Sequence, residues 1–397
     1  MSENTLPTAD ELREEVRSWL RDNYQPLPRN TDPWVSSPER IAWLEKVLDA
    51  GYAVPTYPTE WFGRGYPNKL AKVIAEEFAA IKAPGACQDR YNIPANTTLA
   101  LGTEKLKRHL LRPFLTERSR TCLLYSEPGA GSDLASVRTT ATRDGDEWVV
   151  TGQKVWTSGA KTADYALLLA RTDWDVPKHE GLSLFIMPMK QPGIEVRPLV
   201  QITGESHFNE VFINDAKVPH EYLLGEEGNG WRALQVALAY ERSIMGDTNR
   251  SSRNKKADSL IDLARQYGKL DDPAIRGQLA KVVAMRELNR LNNARAKSST
   301  TPGTSTSIMS LGKLAMSKIL HTEAAMKTQI IGAEALLAGS ENPVADDVNF
   351  LTLNAFFTSI GGGTDQIQRN IIGERVLGLP KEPEIDRDIP FREARRS

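Results

Sequence analysis

Residues that could do chemistry concentrate in three parts of the chain, and the first centres on one carboxylate. In the segment GWRALQVALAYERSIMG, apolar residues recur at helical spacing through Leu234, Ala237, Leu238 and Met245. At about 100° per residue, Glu241 falls in the middle of that stripe, where a core side chain belongs. Burial raises the pKa of a carboxyl group unless a cation compensates. Glu241 is therefore either a structural ion-pair partner or a general base.

The second part consists of two stretches on either side of one predicted hairpin. The stretch LLYSEPGAGSDLASVRTTA is rich in hydroxyls and unobstructed amides, which suits a phosphate or the edge of a heterocycle. The stretch GQKVWTSGA places a flat aromatic beside two hydroxyls. Each stretch alone is more often a turn or a core tryptophan. Together they predict a site for a planar cofactor. The residues concerned are Ser126, Gly131, Ser132, Trp156, Thr157 and Ser158.

The third part is the run FFTSIGGGTDQIQRN, where three glycines precede a polar segment that reads as the start of a long helix from about residue 364. Glycine can adopt positive φ or allow another group to approach the backbone closely. A plain interhelical turn would explain Gly361, Gly362 and Gly363 equally well.

The predicted secondary structure changes along the chain. From about residue 8 to 115, apolar residues recur at helical spacing, and the helices start at an Asp or Ser-Pro and stop at a Gly. Seven short β-rich runs lie between about 119 and 225. Helical spacing returns from Gly228 onward. Asp-Gly at 144–145 predicts a hairpin. This order argues against a doubly wound nucleotide fold, so the glycines of GAGSDLAS do not indicate one.

The fold class predicted is α+β and multidomain: an N-terminal helical domain, a central antiparallel β-barrel or sandwich, and a C-terminal four-helix bundle made of the segments that start near residues 230, 272, 307 and 364. A charged, proline-broken tail should then trail over a surface or a neighbouring subunit. The predicted boundaries are 1–117, 118–226, 227–380 and 381–397.

The totals exclude several classes of function. The 397 residues include 50 basic and 51 acidic ones, and no basic block suggests a nucleic-acid partner. Two cysteines without metal-ligand spacing and five scattered histidines argue against structural zinc. Neither a secretory leader nor a long apolar run is evident, so no membrane insertion and a cytoplasmic location are expected.

Four motifs, in order and spacing, give the chain a family resemblance. They are YSEPGAGSD at 125–133, GQKVWTS at 152–158, the run from Val218 to Trp231 and GGTDQIQRNIIGERVLGLP at 362–380. Over nearly its whole length the sequence resembles the acyl-CoA dehydrogenase family of flavoproteins. The resemblance implies dimers or tetramers, of one chain or with a related second subunit, and FAD held between the β domain and the C-terminal bundles of two subunits.

The resemblance also implies roles for individual residues. Tyr125 and Ser126 would lie along the flavin edge with Gly131 and Thr157 beside the cofactor, Ser132 near the phosphates, Trp156 against the ring and Ser158 near N5. Gly332, Thr364 and Gln366 would meet the ADP half. Arg242, Gly361 and Gly363 would border the substrate.

The family's catalytic base occupies one of two positions. Many relatives carry an acidic residue just before the Gly-Thr of the last motif, where this sequence has Gly362, while another branch uses the Glu of a Glu-Arg pair that Glu241 and Arg242 match. The resemblance thus implies that Glu241 removes the α-proton while hydride passes to flavin N5, giving a trans-2-enoyl-CoA. The Gly362 N–H would hold the thioester carbonyl, and electrons would pass to an electron-transfer flavoprotein.

One part of the sequence departs from the family pattern. An R-x-x-F-G arrangement that reaches a neighbour's FAD is replaced by Arg265-Gln266-Tyr267-Gly268, and Arg276 is the candidate substitute. Relatives with this glycine-rich motif and helix base include enzymes for bulky, steroid-derived thioesters. The alternatives are an acyl-CoA oxidase and a non-catalytic subunit that binds FAD or only its partner.

Overall fold

The structure, a computed structural model, describes residues 6–28, 34–245, 260–298 and 304–394. The described residues fall into two compact units. The first comprises the chain up to Leu199, Ser206–Tyr240 and the segment from Ile385, and the second comprises Val200–Glu205 and Glu241–Glu384. The helices are α1 (Ala9–Asn23), α2 (Pro38–Asp49), α3 (Asn68–Ala80), α4 (Ile93–Leu101), α5 (Glu104–Leu115), α6 (Gly230–Met245), α7 (Leu260–Gln266), α8 (Pro273–Ser298), α9 (Thr304–Ile331), α10 (Pro343–Ile360) and α11 (Asp365–Ile371).

The N-terminal helical region is confirmed. Helix α1 buries Leu12, Val16 and Leu20, the i, i+4, i+8 face that the sequence spacing predicts. Its N-cap is Thr8, which forms a capping box with Glu11. The prediction that this helix starts at an Asp was therefore wrong. A hydroxyl at the N-cap can accept an amide hydrogen bond while Glu11 reaches back to the cap.

All seven predicted strands form one sheet. They are β1 (Thr121–Leu124), β2 (Thr140–Asp144), β3 (Glu147–Ser158), β4 (Tyr165–Arg171), β5 (Leu182–Pro188), β6 (Ile194–Leu199) and β7 (Phe208–Pro219). The order is β1-β4-β2-β3-β7-β6, with β5 paired to β4. The sheet is mixed rather than purely antiparallel, because β1 pairs with β4 in parallel. The β2–β3 hairpin lies between them in sequence and supplies the long connection that a parallel pair needs.

The hairpin at Asp144-Gly145 is confirmed with its loop shifted by one residue. Asp144 pairs with Glu147, so the two loop residues are Gly145 and Asp146. Gly145 has a φ of 60°. A two-residue loop with positive φ at its first position is typical of a type II′ turn.

In the second unit, the predicted fourth long helix is wrong in position. The 18-residue helix is α10, whereas α11 has seven residues and continues only as a short π-helical turn, Ile372–Val376. Helix α10 is apolar on most sides, so its sequence lacks the alternation of faces that reveals a surface helix. Helix α9 packs against α8 and α10.

The C-terminal segment from Ile385 belongs to the first unit and packs against its other residues. The Phe391 ring is 1% exposed and lies 3.6 Å from the guanidinium of Arg171, which is itself fully buried. The Phe391 N–H donates to the carbonyl of Val176. Within the described residues, no helix is long and apolar enough to cross a membrane.

Candidate functional site

The loop that follows β1 is closed by its own backbone. Glu127 and Ala130 exchange two backbone hydrogen bonds of 3.0 Å, which makes Pro128-Gly129 a tight turn. A Cβ added to Gly129 or Gly131 would meet no atom within 4 Å, so the space beside this loop is open. Ser132 is exposed at the end of the turn. The loop thus presents backbone and a hydroxyl to solvent, as a phosphate site requires.

A β-bulge in β3 turns Trp156 outward. The β3–β7 register shifts between Lys154 and Thr157, and Trp156 between them has a φ of 64°. A bulky residue at positive φ is a genuine outlier and marks stored strain. The Trp156 side chain is 56% exposed and touches Phe208 edge-on, so the alternative of a core tryptophan is wrong.

The bulge and the loop after β1 lie side by side. The N–H of Val155 donates to the Ser126 carbonyl at 3.0 Å, which places Ser126 next to the residue before Trp156. The Oγ1 atom of Thr157 is buried and lacks a hydrogen-bond partner within the described chain. Such a hydroxyl costs free energy unless a ligand completes its hydrogen bonds. Ser158, at the end of β3, is exposed.

A buried ion pair that the sequence analysis missed joins these elements. The Nζ atom of Lys154, fully buried, donates to the carbonyls of Tyr125 and Leu169 at 2.9 and 2.7 Å and to Glu127 Oε1 at 2.9 Å. The Glu127 carboxylate also accepts the backbone N–H groups of Arg138 and Thr139. The pair therefore fixes both stretches to one geometry.

Electrostatics keeps this pair charged. Burial alone would raise the pKa of Glu127, but the Lys154 ammonium and the surrounding hydrogen bonds outweigh it and lower that pKa. Burial lowers the pKa of Lys154. The sequence did contain a signal for the burial of Lys154. Side chains of a strand alternate between its two faces, and Lys154 lies on the same face of β3 as the buried Trp148 and Val150.

A second buried cation holds the far end of the loop. Arg171 donates to the carbonyls of Ala135 and Val137 at 2.7 and 3.1 Å, beneath the Phe391 ring described above. Lys178 pairs with Asp133, next to Ser132, at 3.1 Å. The loop is thus supported at Ala135, Val137 and Asp133, while a Cβ added at Gly131 would meet no atom within 4 Å.

In the second unit, the three glycines form the turn between α10 and α11. Gly361 ends α10, and its N–H donates to the Phe357 carbonyl at 2.7 Å. Gly362 and Gly363 have φ values of 64° and 86°. An acidic residue at position 362 would have to adopt this left-handed conformation, which costs an L-residue about 1–2 kcal/mol. Within the described chain, the Gly362 N–H has no acceptor.

A polar network, also missed by the sequence analysis, fixes this turn. The Asp365 carboxylate accepts from Ser317 at 2.8 Å and pairs with Lys313 at 3.3 Å. Ser317 in turn contacts Ser359, the second residue before Gly361, at 2.8 Å. Thr364 caps α11 through a hydrogen bond from the Ile367 N–H, and Gln366 lies exposed on the same helix.

The remaining candidates of the second unit lie on different elements. Gly332 follows α9 with a φ of 61°, and a Cβ there would meet no atom within 4 Å. Arg276 is exposed on α8 and lines an apolar groove of about 620 Å³ with Ile261 and Leu279. Tyr267, at the position of the family's Phe, donates to Glu334 at 2.6 Å, so its hydroxyl is held within the unit.

Helix α6 contains the Glu-Arg pair. Leu234 and Ala237 are buried, which bears out the first turns of the apolar stripe that leads to Glu241. The backbone is helical to Met245. The side chains of Glu241 and Arg242 lie outside the described residues, so their contacts are not part of this description.

Comparison with known families matches three consecutive models to the chain. The N-terminal, middle and C-terminal domain models of acyl-CoA dehydrogenases match residues 7–118, 122–216 and 228–377. Acyl-CoA dehydrogenase IpdE1 of Mycobacterium tuberculosis is 36% identical over 393 residues, which cover 95% of this chain and 99% of the relative.

Solved structures of acyl-CoA dehydrogenases also match nearly the whole length of the chain. The steroid acyl-CoA dehydrogenase (ACAD) Tcur3481-Tcur3483 superposes with a TM-score of 0.72 at 25% identity, over 96% of this chain and 100% of that one. The ChsE4-ChsE5 complex of Mycobacterium tuberculosis gives a TM-score of 0.68 at 28% identity, with the same two coverages.

Proposed function

Because the chain belongs to the acyl-CoA dehydrogenase family and is an enzyme of that class, we propose that it removes the α and β hydrogens of a bulky or branched acyl-CoA thioester, with FAD as its cofactor, to give a trans-2-enoyl-CoA. The observation that carries the proposal is the strained bulge that exposes Trp156 beside the open loop after β1. Strain of this kind persists where the surrounding structure enforces it, and it clusters at ligand sites.

The described residues fit a flavin dinucleotide. Trp156 offers an exposed aromatic face, and Thr157 offers a buried hydroxyl that has no partner among the described residues. Ser126, whose backbone carbonyl accepts from the Val155 N–H beside the bulge, adds a second hydroxyl. The open backbone at Gly131 and the exposed Ser132 suit the phosphates. In the second unit, Gly332, Thr364 and Gln366 would meet the ADP half and Arg276 would reach a neighbour's cofactor. Bound flavin supplies the hydride acceptor.

The chain's own residues would move the proton and hold the thioester. Glu241, which follows the buried Leu234 and Ala237 on the apolar stripe of α6, takes the α-proton as a general base. Arg242 and the turn of Gly361–Gly363 border the acyl group. The Gly362 N–H, which has no acceptor in the described chain, donates to the thioester oxygen as negative charge develops there.

A steroid-derived acyl group is the proposed substrate class. Its support is the similarity of the chain, at 25% identity, to a protein named as a steroid ACAD. The electrons leave for an electron-transfer flavoprotein, which family membership favours over direct reaction with O₂.

Assembly into at least a dimer, of like or related chains, is part of the proposal. The second unit leaves large apolar side chains exposed on two helices, Leu288 and Leu291 on α8 and Phe356 and Ile360 on α10. Large apolar side chains exposed in this unit are what a neighbouring subunit would cover. The similar ChsE4 and ChsE5 of Mycobacterium tuberculosis form a complex with each other. Light scattering that reports an active monomer would contradict this part.

One experiment tests the function. The purified protein, alone or with a related subunit, is examined for FAD released by heat and is then titrated anaerobically with octanoyl-CoA, 3-cyclohexylpropanoyl-CoA and cholan-24-oyl-CoA. We expect flavin bleaching, most efficiently with the bulky thioesters, and a product lacking two hydrogens. A colourless protein, or a flavin that no thioester bleaches, would refute the proposal. Rapid reoxidation by O₂ would indicate an oxidase.

A further inference from the structure

Residues 385–394 of the first unit form a C-terminal segment, called the C-terminal strap below, that is hydrogen-bonded to the loop between β4 and β5. The Phe391 N–H donates to the Val176 carbonyl at 2.9 Å, and the Arg392 N–H donates to the Trp174 carbonyl at 3.1 Å. The Phe391 ring also packs on Trp174, with 5.5 Å between the ring centroids. The strap is therefore an ordered part of the first unit.

The Phe391 ring contacts two guanidinium groups. The ring is 1% exposed, with Arg171 at 3.6 Å and Arg138 at 4.8 Å from its centroid. Burial, and next the charge of Arg138, lower the pKa of Arg171 to about 10. A cation over an aromatic ring is attracted to it, and more strongly where water is excluded. The Phe391 ring therefore stabilises Arg171 in a place that otherwise disfavours its charge.

Arg171 connects this ring to the loop after β1. Its guanidinium donates to the carbonyls of Ala135 and Val137 at 2.7 and 3.1 Å, and to that of Lys178 at 3.3 Å. The donors of a guanidinium form a rigid planar fork, so the positions of its acceptors are coupled to its own position. The backbone at Ala135 and Val137 therefore depends on Arg171, and through Arg171 on Phe391.

Lys178 makes a second connection between the strap and the same loop. Its Nζ atom pairs with Asp133 at 3.1 Å and lies 3.8 Å from the Asp386 carboxylate of the strap. Lys178 is buried, so solvent screens these interactions less than those of an exposed pair. Asp133 directly follows Ser132, the proposed phosphate ligand. A second cation thus joins the strap to the loop, next to a residue proposed to meet FAD.

We propose that the C-terminal strap sets the affinity of the protein for FAD, by holding the loop after β1 in the conformation that presents Ser132 to the cofactor's phosphates. A loop held in its bound conformation loses less conformational entropy when the ligand binds. Phe391 and Asp386 are then positioning residues that act through Arg171 and Lys178. The inference rests on the proposed function, since that proposal places the phosphates of FAD at this loop.

The first test removes the aromatic ring and keeps a large buried hydrocarbon. Phe391→Leu loses the ring face over Arg171 and leaves the charges of the strap unchanged. The dissociation constant of FAD is measured by fluorescence titration of the full-length apoprotein, together with its related subunit if FAD binding requires one. We expect it to rise about fivefold or more, as the loss of a desolvated contact between a cation and an aromatic ring implies.

Phe185→Leu is the matched control. Phe185 lies on β5 of the same unit, is fully buried and packs edge-on against Trp148. Both substitutions should lower the melting temperature of the apoprotein, because each reduces a buried side chain. Only Phe391→Leu should weaken FAD binding. A rise in the dissociation constant no larger than that of Phe185→Leu would overturn the inference.

Hydrogen exchange in the wild-type protein gives a second test, which needs no variant to fold. Coupling between two sites is reciprocal, so bound FAD must in turn stabilise the strap. We expect FAD to slow exchange at the amides of Phe391 and Arg392 about threefold or more, and by a larger factor than at the amides of α1 in the same unit. Slowing at the strap that does not exceed the slowing in α1 would overturn the inference.

The two proposals can fail separately. Flavin bleaching of the wild-type protein is recorded with the three thioesters named above. FAD binding that Phe391→Leu weakens, without bleaching by any thioester, would refute the proposed reaction and retain the strap. Bleaching by a thioester, with equal FAD affinities in Phe391→Leu and Phe185→Leu, would refute the strap and retain the reaction. A wild-type protein that binds no FAD would refute both.

Discussion

Removing the buried cation at Lys154 should destabilise the site from within. Lys154→Met leaves the Glu127 carboxylate without its ammonium and takes a donor from the carbonyls of Tyr125 and Leu169. Breaking a buried pair by deleting one partner costs about 3–5 kcal/mol. We expect a loss of that size in the free energy of unfolding and early release of FAD, because the loop after β1 and the bulge lose their common support.

The assay is urea denaturation of the FAD-loaded protein, followed by tryptophan fluorescence and by flavin release. Lys190→Met is the matched control, since Lys190 pairs with Asp164 in the same unit but is 72% exposed, and exposed pairs contribute little. The double variant Lys154→Met, Glu127→Gln should lose less stability than Lys154→Met alone, because no isolated charge stays buried. The reasoning is refuted if Lys154→Met loses no more stability than Lys190→Met.

Three further predictions concern Trp156, the glycine turn of the second unit and Glu127. Trp156→Ala should raise the dissociation constant of FAD by roughly two- to tenfold, the contribution of a stacked aromatic; unchanged affinity in a fluorescence titration would place the flavin elsewhere. Gly363→Ala should lower the melting temperature because the φ of Gly363 is 86°. Gly373→Ala is the control and should not lower it, because a Cβ there would meet only Leu379 at 3.8 Å. Equal effects of the two substitutions would contradict the role of backbone strain. Folding lowers the pKa of Glu127, so the stability that this carboxylate contributes is complete above its unfolded pKa of about 4.3 and is lost as the pH falls through the lower folded value. Flavin release should therefore depend less on pH in Glu127→Gln than in the wild type. An unchanged pH profile in the variant would count against this carboxylate.

Periodicity predicted most of the fold. The apolar stripe of α6 and all seven strands were legible because each buries one face or lies in a continuous apolar run. Helix α10 was missed because a helix apolar on most sides has no contrast between faces. The positive φ of Trp156 could not be predicted, since tryptophan rarely adopts it and only the surrounding sheet enforces it.

The candidate site was predicted in its parts and not in its supports. The motifs identified Ser126, Trp156 and the glycine turn. The buried Lys154 and the partly buried Asp365 were missed because their roles depend on contacts between segments far apart in sequence.

The most direct test of the central claim is the rate of flavin reduction in Glu241→Gln. The amide is nearly isosteric with the carboxylate, so folding and FAD content should be retained while proton removal is lost. Stopped-flow mixing with the best thioester isolates this step from reoxidation, and Glu227→Gln, an exposed glutamate before the same helix, is the control. The account predicts a reduction rate about 10²–10⁴-fold below that of the wild type for Glu241→Gln and an unchanged rate for the control. Near-normal flavin reduction in Glu241→Gln would contradict it.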